Sequence, residues 1–387
     1  MKIEELTKLL ETKRQKSLYH RYITNVDIEP LLNNLSEVFL VNKIGISVEE
    51  RQIYSVTVGN GPKKVLIWSQ MHGNESTTTK ALFDLLNILS DKNDISNDLL
   101  ANCTLKIIPI LNPDGAYLYT RANANDIDLN RDAQNLSQPE SNVLLGVFND
   151  FKPNFCYNLH GQRTIFSAGK CNKPATVSFL APAQDEKTTI TKNRMQAMEI
   201  IVKMNEALQP IIPKQVGIYD DSFNINCVGD TFQSKGVPTI LFEAGHCKDD
   251  YPREKVREYI GLALLTSLKY IANTEISGEA FMDYHTIPKN EKLFFDIIIR
   301  NVKLVENDGN QDVAIQFKEV LKDNEIHFIP VIEEIGHLGE YFGHTEIDAD
   351  GKEVLTRKNE MLFEGYENDF VLLNNELFSL KSTISLV

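Results

Sequence analysis

At 387 residues the chain has room for roughly two or three compact units, and its 42% hydrophobic and 24% charged content suits a globular protein without long disordered tracts. Its formal charge of −14, from 40 basic and 54 acidic side chains, with no basic run interleaved with aromatics, makes nucleic acid and anionic membranes poor partners. The opening MKIEELTKLLETKRQKSLYH lacks the apolar block of a signal peptide, and no stretch approaches the about 18 apolar residues of a membrane span, so a cytoplasmic location is expected.

Residues 1–48 read as a mostly helical segment. IEELTKLLETK and IEPLLNNLSEVF carry apolar residues at helical spacing, the second with Asn25 or Asp27 as candidate cap. From about residue 49 the texture changes. RQIYSVTVGN, KKVLIWSQ, LKIIPILNPDG, FKPNFCYNLHG and PTILFEAGH read as strands, alternating with amphipathic stretches such as ESTTTKALFDLLNILSD, RMQAMEIIVKMNEAL and REKVREYIGLALLTSLKYIAN. This alternation predicts an α/β unit over 49–280, a mostly parallel twisted sheet with helices on both faces. Residues 290–387 are strand-rich with turn signals at ENDGN and DADGKE, and read as a smaller β-rich unit. DADG lacks the frame and closing glutamate of a calcium loop and reads as a hairpin turn. The five cysteines, Cys103, Cys156, Cys171, Cys227 and Cys247, have no C-x-x-C spacing, and an odd count fits free thiols.

Polar residues with chemistry cluster where apolar runs end. His72 and Glu75 in WSQMHGNEST follow one such run, and Gly73 between them permits a sharp bend that turns both side chains to one point. Asn112 to Gly115, His160, and Glu243 with His246 follow three others. In an open α/β sheet the carboxyl ends of parallel strands share one edge, where ligands bind. His72, Glu75, His160 and Glu243 on that edge make a site. His246, His285, His337 and His344 read as surface or turn histidines rather than further ligands, and Met195, Met198 and Met204 as a core-facing stripe.

Taken in order, HGNE, NPDG, Arg121 followed by DLNRD, NLHG and LFEAGH resemble the zinc metallocarboxypeptidases, over about residues 50–270. The resemblance implies one Zn²⁺ per chain held by His72, Glu75 and His160, and Glu243 as general base acting on a metal-activated water. It implies Arg121 at the developing oxyanion, and Asn130 with Arg131 on the substrate's terminal carboxylate, where a planar guanidinium suits a bidentate hold. Tyr219 matches the family's mobile tyrosine. The resemblance implies that the specificity pocket draws on residues 226–236, where Asp230 is either an acidic base that would favour Lys or Arg side chains or a helix cap or structural hydrogen-bond partner. The short interval between Arg121 and Asn130, and NRD in place of Asn-Arg-aromatic, look closer to bacterial members, including amidases acting on cell-wall peptides. The function implied is hydrolysis of a C-terminal peptide or peptide-like amide bond. The alternatives are a zinc-dependent deacylase or amidase on N-acyl amino acids or cell-wall peptides, and, from another class, an inactive binding protein.

Overall fold

The computed structural model describes residues 3–91, 93–304, 309–374 and 376–381. Nine strands precede residue 250: β1 (Leu40–Ile46), β2 (Gln52–Val58), β3 (Lys63–Trp68), β4 (Cys103–Ile108), β5 (Phe155–Gly161), β6 (Phe166–Ala168), β7 (Val177–Leu180), β8 (Val216–Ile218) and β9 (Thr239–Ala244). All but β6 form one eight-stranded sheet in the order β1-β2-β4-β3-β5-β9-β7-β8. The central β4-β3-β5-β9 pairings are parallel, while β1-β2, β2-β4 and β9-β7 are antiparallel.

The central strands are buried along nearly their whole length, as parallel strands covered on both faces must be. Their period of two divides the core. Val65 and Ile67 join one apolar cluster with helices α3 (Thr77–Ser90), α7 (Lys192–Leu208) and α9 (Glu254–Asn273). Leu66, Trp68 and Cys156 face the opposite layer, against Leu144, Phe148 and Phe151 of the helix Pro139–Phe151 and Phe232 of the helix Val228–Ser234.

Two sequence expectations are corrected near the N-terminus. The first helix is Ile3–Lys13, as its spacing predicts, but the second runs only Asn25–Asn33 and is capped by Thr24, whose backbone N–H donates to Asp27 Oδ2 at 2.8 Å. The segment then turns into β1, an edge strand whose mixed exposure leaves no clean apolar face to read. The first helix packs on α3 and α9. The stretch after it is held by a buried ion pair: both Asp84 oxygens lie 2.6 Å from Arg257, whose guanidinium also donates to the carbonyls of Gln15 and Leu18.

Beyond residue 290, β10 (Asn290–Lys292) pairs with β6. Then β11 (Phe294–Lys303), β12 (Asn310–Lys322), β13 (Glu325–Gly336) and β14 (Phe342–Asp348) form a four-stranded sheet, and β15 (Val354–Thr356), β16 (Phe370–Leu373) and β17 (Glu376–Ser379) a three-stranded one. Their shared core reaches back to Tyr119 and Tyr251. DADG is a turn, but it carries the chain from one sheet to the other instead of closing a hairpin, because β14 pairs with β11 and β15 with β16. Most of ENDGN lies outside the described residues.

Breaking the Asp84–Arg257 pair leaves a carboxylate buried without its cation. Arg257→Met is expected to destabilise the fold by about 3–5 kcal/mol, read from the urea unfolding midpoint.

Candidate functional site

The β3–α3 turn delivers the first two site residues. Gln70 takes a left-handed conformation with φ of 45°, and Glu75 N–H closes on His72 carbonyl at 3.1 Å. Gly73 serves a different purpose from the expected bend. A Cβ there would lie 1.9 Å from the Gly115 carbonyl carbon, so the glycine lets the His72 turn press against the NPDG turn. NPDG is itself structural: Asn112 Oδ1 accepts the Gly115 N–H at 2.8 Å, and buried Asp114 accepts from Ser47 at 2.7 Å and the Glu49 N–H at 3.0 Å.

His160 is the penultimate residue of β5 and stands in register with Glu243 on β9. His72 Nδ1 lies 2.9 Å from Glu75 Oε1, His160 Nδ1 lies 3.0 Å from Glu75 Oε2, and the two Nδ1 atoms are 3.1 Å apart. The described residues contain one such group of potential ligands, its atoms all within 4.8 Å of one another. Two imidazole nitrogens and a carboxylate converging this closely repel unless a cation or protons sit among them. Zinc with Zn–N near 2.0–2.1 Å in tetrahedral array sets its ligand atoms roughly 3.3 Å apart, so the donor set fits zinc in both chemistry and spacing.

Surrounding groups fix these side chains. Asp128 Oδ1 lies 3.0 Å from His72 Nε2, and its Oδ2 lies 3.1 Å from the Arg121 guanidinium. The sequence reading missed this residue, although it lies in the quoted DLNRD string. Gly161 N–H donates to Glu75 Oε2 at 3.0 Å. Burial disfavours a charged Glu75, but the two histidines outweigh it and hold its carboxyl well below the usual range. Glu243 sits oppositely: burial first and the Glu75 charge second push its carboxyl well above the usual range, with Arg121 and Arg253 only partly opposing. Its Oε2 is buried without a hydrogen-bond partner among the described residues.

All nine candidate residues line one cavity of about 1070 Å³. Arg121 is half exposed, with Nη1 at 3.4 Å from Glu75. Asn130 Oδ1 accepts the Val228 N–H at 3.1 Å, and Arg131 is exposed, its guanidinium bonding only the Asn130 carbonyl, at 2.9 Å, among the described residues. Asp230 is buried in the wall, and burial pushes its carboxyl up to about 6. Tyr219 follows β8 with its ring centroid 5.4 Å from that of Phe166, and burial with the Glu243 and Glu75 charges raises its hydroxyl pKa.

His246, three residues past Glu243, faces away from this group. Its ring packs at 4.4 Å from His344 and 4.7 Å from Tyr251 between the larger unit and the β-rich one. His344 is also buried, donating to the Thr164 carbonyl at 2.8 Å, whereas His285 and His337 are exposed. Asn158, the first residue of NLHG, lines the cavity beside the strand ends, as do two features with no local signature, Arg253 and the wall built by Gln316 to Glu319 on β12. Among the described residues no helix is long and apolar enough to cross a membrane.

A family model described as zinc carboxypeptidase matches residues 27–196. Carboxypeptidase SOL1 of Arabidopsis thaliana is 29% identical over 181 residues, covering 41% of this chain and 36% of that protein. Carboxypeptidase D of Rattus norvegicus is 27% identical over 162 residues, 35% of this chain and 12% of that protein. The chain thus spans about a third or less of the length of these relatives. Among solved structures, a putative carboxypeptidase A from Shewanella denitrificans superposes with a TM-score of 0.54 at 18% identity, covering 64% of this chain and 68% of the other. Carboxypeptidase A from Helicoverpa armigera gives 0.52 at 18% identity, covering 70% and 80%. Both share the fold.

Gly73→Ala forces backbone against backbone where no side chain can yield. It is expected to cost about 1–3 kcal/mol or more in thermal unfolding.

Proposed function

We propose that the chain is a zinc carboxypeptidase-type hydrolase that cleaves a C-terminal peptide or peptide-like amide bond in this cavity, a reading supported by the family model over residues 27–196 and by the carboxypeptidase relatives. The observation that carries the reading is the convergence of His72, Glu75 and His160 beside a buried carboxylate, Glu243, with a free oxygen. His72, Glu75 and His160 would hold one zinc ion per chain. When bound, zinc supplies Lewis acidity, acidifying water and polarising the scissile carbonyl.

Each remaining step falls to a residue of the chain. Glu243, its proton affinity raised by burial, takes a proton from the attacking water and returns it to the leaving amine. Arg121 is the nearest permanent cation to the ligand group and stabilises the developing oxyanion. Asp128 fixes the His72 ring from behind. Arg131 keeps an uncommitted fork for the substrate's terminal carboxylate, and Asn130, anchored on the Val228 N–H, stands beside it. Tyr219 closes the wall near Glu243. Asp230 shares its pocket with Asn158, Leu180 and Leu241 and takes a cationic side chain at the substrate's C-terminal residue. On this reading the catalytic unit runs to about residue 280 and includes the edge strand β1, the helices before β1 pack on it, and 290–387 are accessory.

A deacylase or amidase acting on N-acyl amino acids or cell-wall peptides is the second reading, since residues of β12 line the same cavity as the ligand group and bound the space open to the acyl side. Blocked dipeptides tested against N-acyl amino acids separate the two.

Metal analysis is expected to find one zinc per chain, lost with activity when the protein is dialysed against a chelator. Glu243→Gln is expected to keep the zinc while kcat falls about 10²–10⁴-fold; undiminished turnover removes Glu243 as base. Asp230 attracts a cation only when ionised. With its carboxyl at about 6, KM for Lys- or Arg-terminated substrates is expected to rise as pH falls below 6, while KM for neutral-ended substrates holds steady. Parallel pH profiles contradict that assignment.

A further inference from the structure

The cavity extends past the ligand group, and the strand register gives its direction. Along β5 and β9, Asn158 pairs with Leu241, then His160 with Glu243, then Gly161 with Ala244. The pocket holding Asp230 lies at the Asn158 end, where a Cβ on Gly229 would come within 4.0 Å of Asn158 Nδ2. Arg253 lies at the opposite end, donating from Nη1 to the Ala244 carbonyl and from Nη2 to the Gln162 carbonyl, both at 2.6 Å. A substrate with its C-terminal residue in the Asp230 pocket and its scissile carbonyl at the ligand group must therefore run its acyl portion toward Arg253.

Two buried polar groups wait there. Arg253 is 2% exposed and has no carboxylate within ion-pair distance among the described residues, and its Nε–H has no partner. Gln316, on β12 of the β-rich unit, is 6% exposed and its Oε1 likewise has none. The Gln316 amide orientation is fixed chemically. Nε2 donates to Thr164 Oγ1 at 2.6 Å and to the Asp296 carboxylate, which also receives the Phe317 N–H at 2.7 Å and the Tyr251 hydroxyl at 2.9 Å. Turning the amide over would press Oε1 against that carboxylate. Both side chains are moored to the short segment after His160, Arg253 through Gln162 and Gln316 through Thr164, and both line the same cavity.

A buried donor and a buried acceptor without partners each carry a desolvation penalty that a ligand bearing the complementary pair relieves. A peptide group presents that pair, one carbonyl and one N–H. We propose that Arg253 and Gln316 form a backbone-reading subsite for the acyl side of the substrate, Arg253 Nε donating to a peptide carbonyl and Gln316 Oε1 accepting a peptide N–H. This rests on the proposed hydrolysis and sharpens it: the substrate is a peptide with at least one amide upstream of the scissile bond, and the β-rich unit supplies part of its binding site.

The test uses the zinc-loaded full chain and an N-acetylated tripeptide ending in lysine, in which each of the two upstream amides is replaced in turn by an ester. An ester keeps the carbonyl and removes the N–H. In the unmodified protein, one replacement is expected to lower kcat/KM roughly tenfold, the size of one unmade buried hydrogen bond. In Gln316→Met the same replacement is expected to change it little. Equal rates for the amide and both esters overturn the subsite, as does a drop that persists in Gln316→Met. If Gln316→Met does not fold, the comparison in the unmodified protein decides. Cleavage of the tripeptide without an ester effect removes only the subsite; no cleavage of any of these substrates removes the hydrolytic reading with it.

Discussion

The site depends on the parallel register of β5 against β9. Because these strands start level and run the same way, His160 and Glu243 arrive side by side at one sheet edge. The β3–α3 turn reaches that edge from the neighbouring strand and adds His72 and Glu75. A slip of one residue would send His160 to the opposite face, into the apolar cluster that holds Tyr157, Leu159 and Phe242. The burial of these strands on both faces is therefore the first requirement of the chemistry, since it makes any other register costly.

Around that edge, two carboxylates of the same type are driven in opposite directions. Glu75 lies between two imidazoles and receives the Gly161 N–H, so its charged form is favoured. Glu243 has no such donors among the described residues, feels the Glu75 charge, and is buried by the sheet, so its neutral form is favoured. Ligand and proton carrier are thus distinguished by their surroundings. The cavity continues the pattern, with Asp230 at one end and Arg253 at the other, and the β-rich unit closing a wall through β12.

Much of this was legible in the sequence because each chemical group follows a long apolar run. KKVLIW, FCYNL and TILF announce buried strands, and His72, His160 and Glu243 stand where they stop. What escaped was set by tertiary approach. Asp128 looks like an ordinary acid before a short turn and gains its meaning only by meeting His72. Gly73 suggested flexibility and instead answers to the proximity of Gly115. The edge strand β1 alternates too weakly to separate from the helical segment before it. Arg253 and Gln316 have no local signature, since both are placed by contacts with the segment that follows His160.

Anomalous diffraction at the zinc edge, from crystals grown with stoichiometric zinc, tests the central claim most directly. The account predicts a single strong peak about 2.0–2.2 Å from His72 Nδ1, His160 Nδ1 and a Glu75 oxygen, with Glu243 adjacent but unligated. A peak at other side chains, or none at this edge of the sheet, would contradict it.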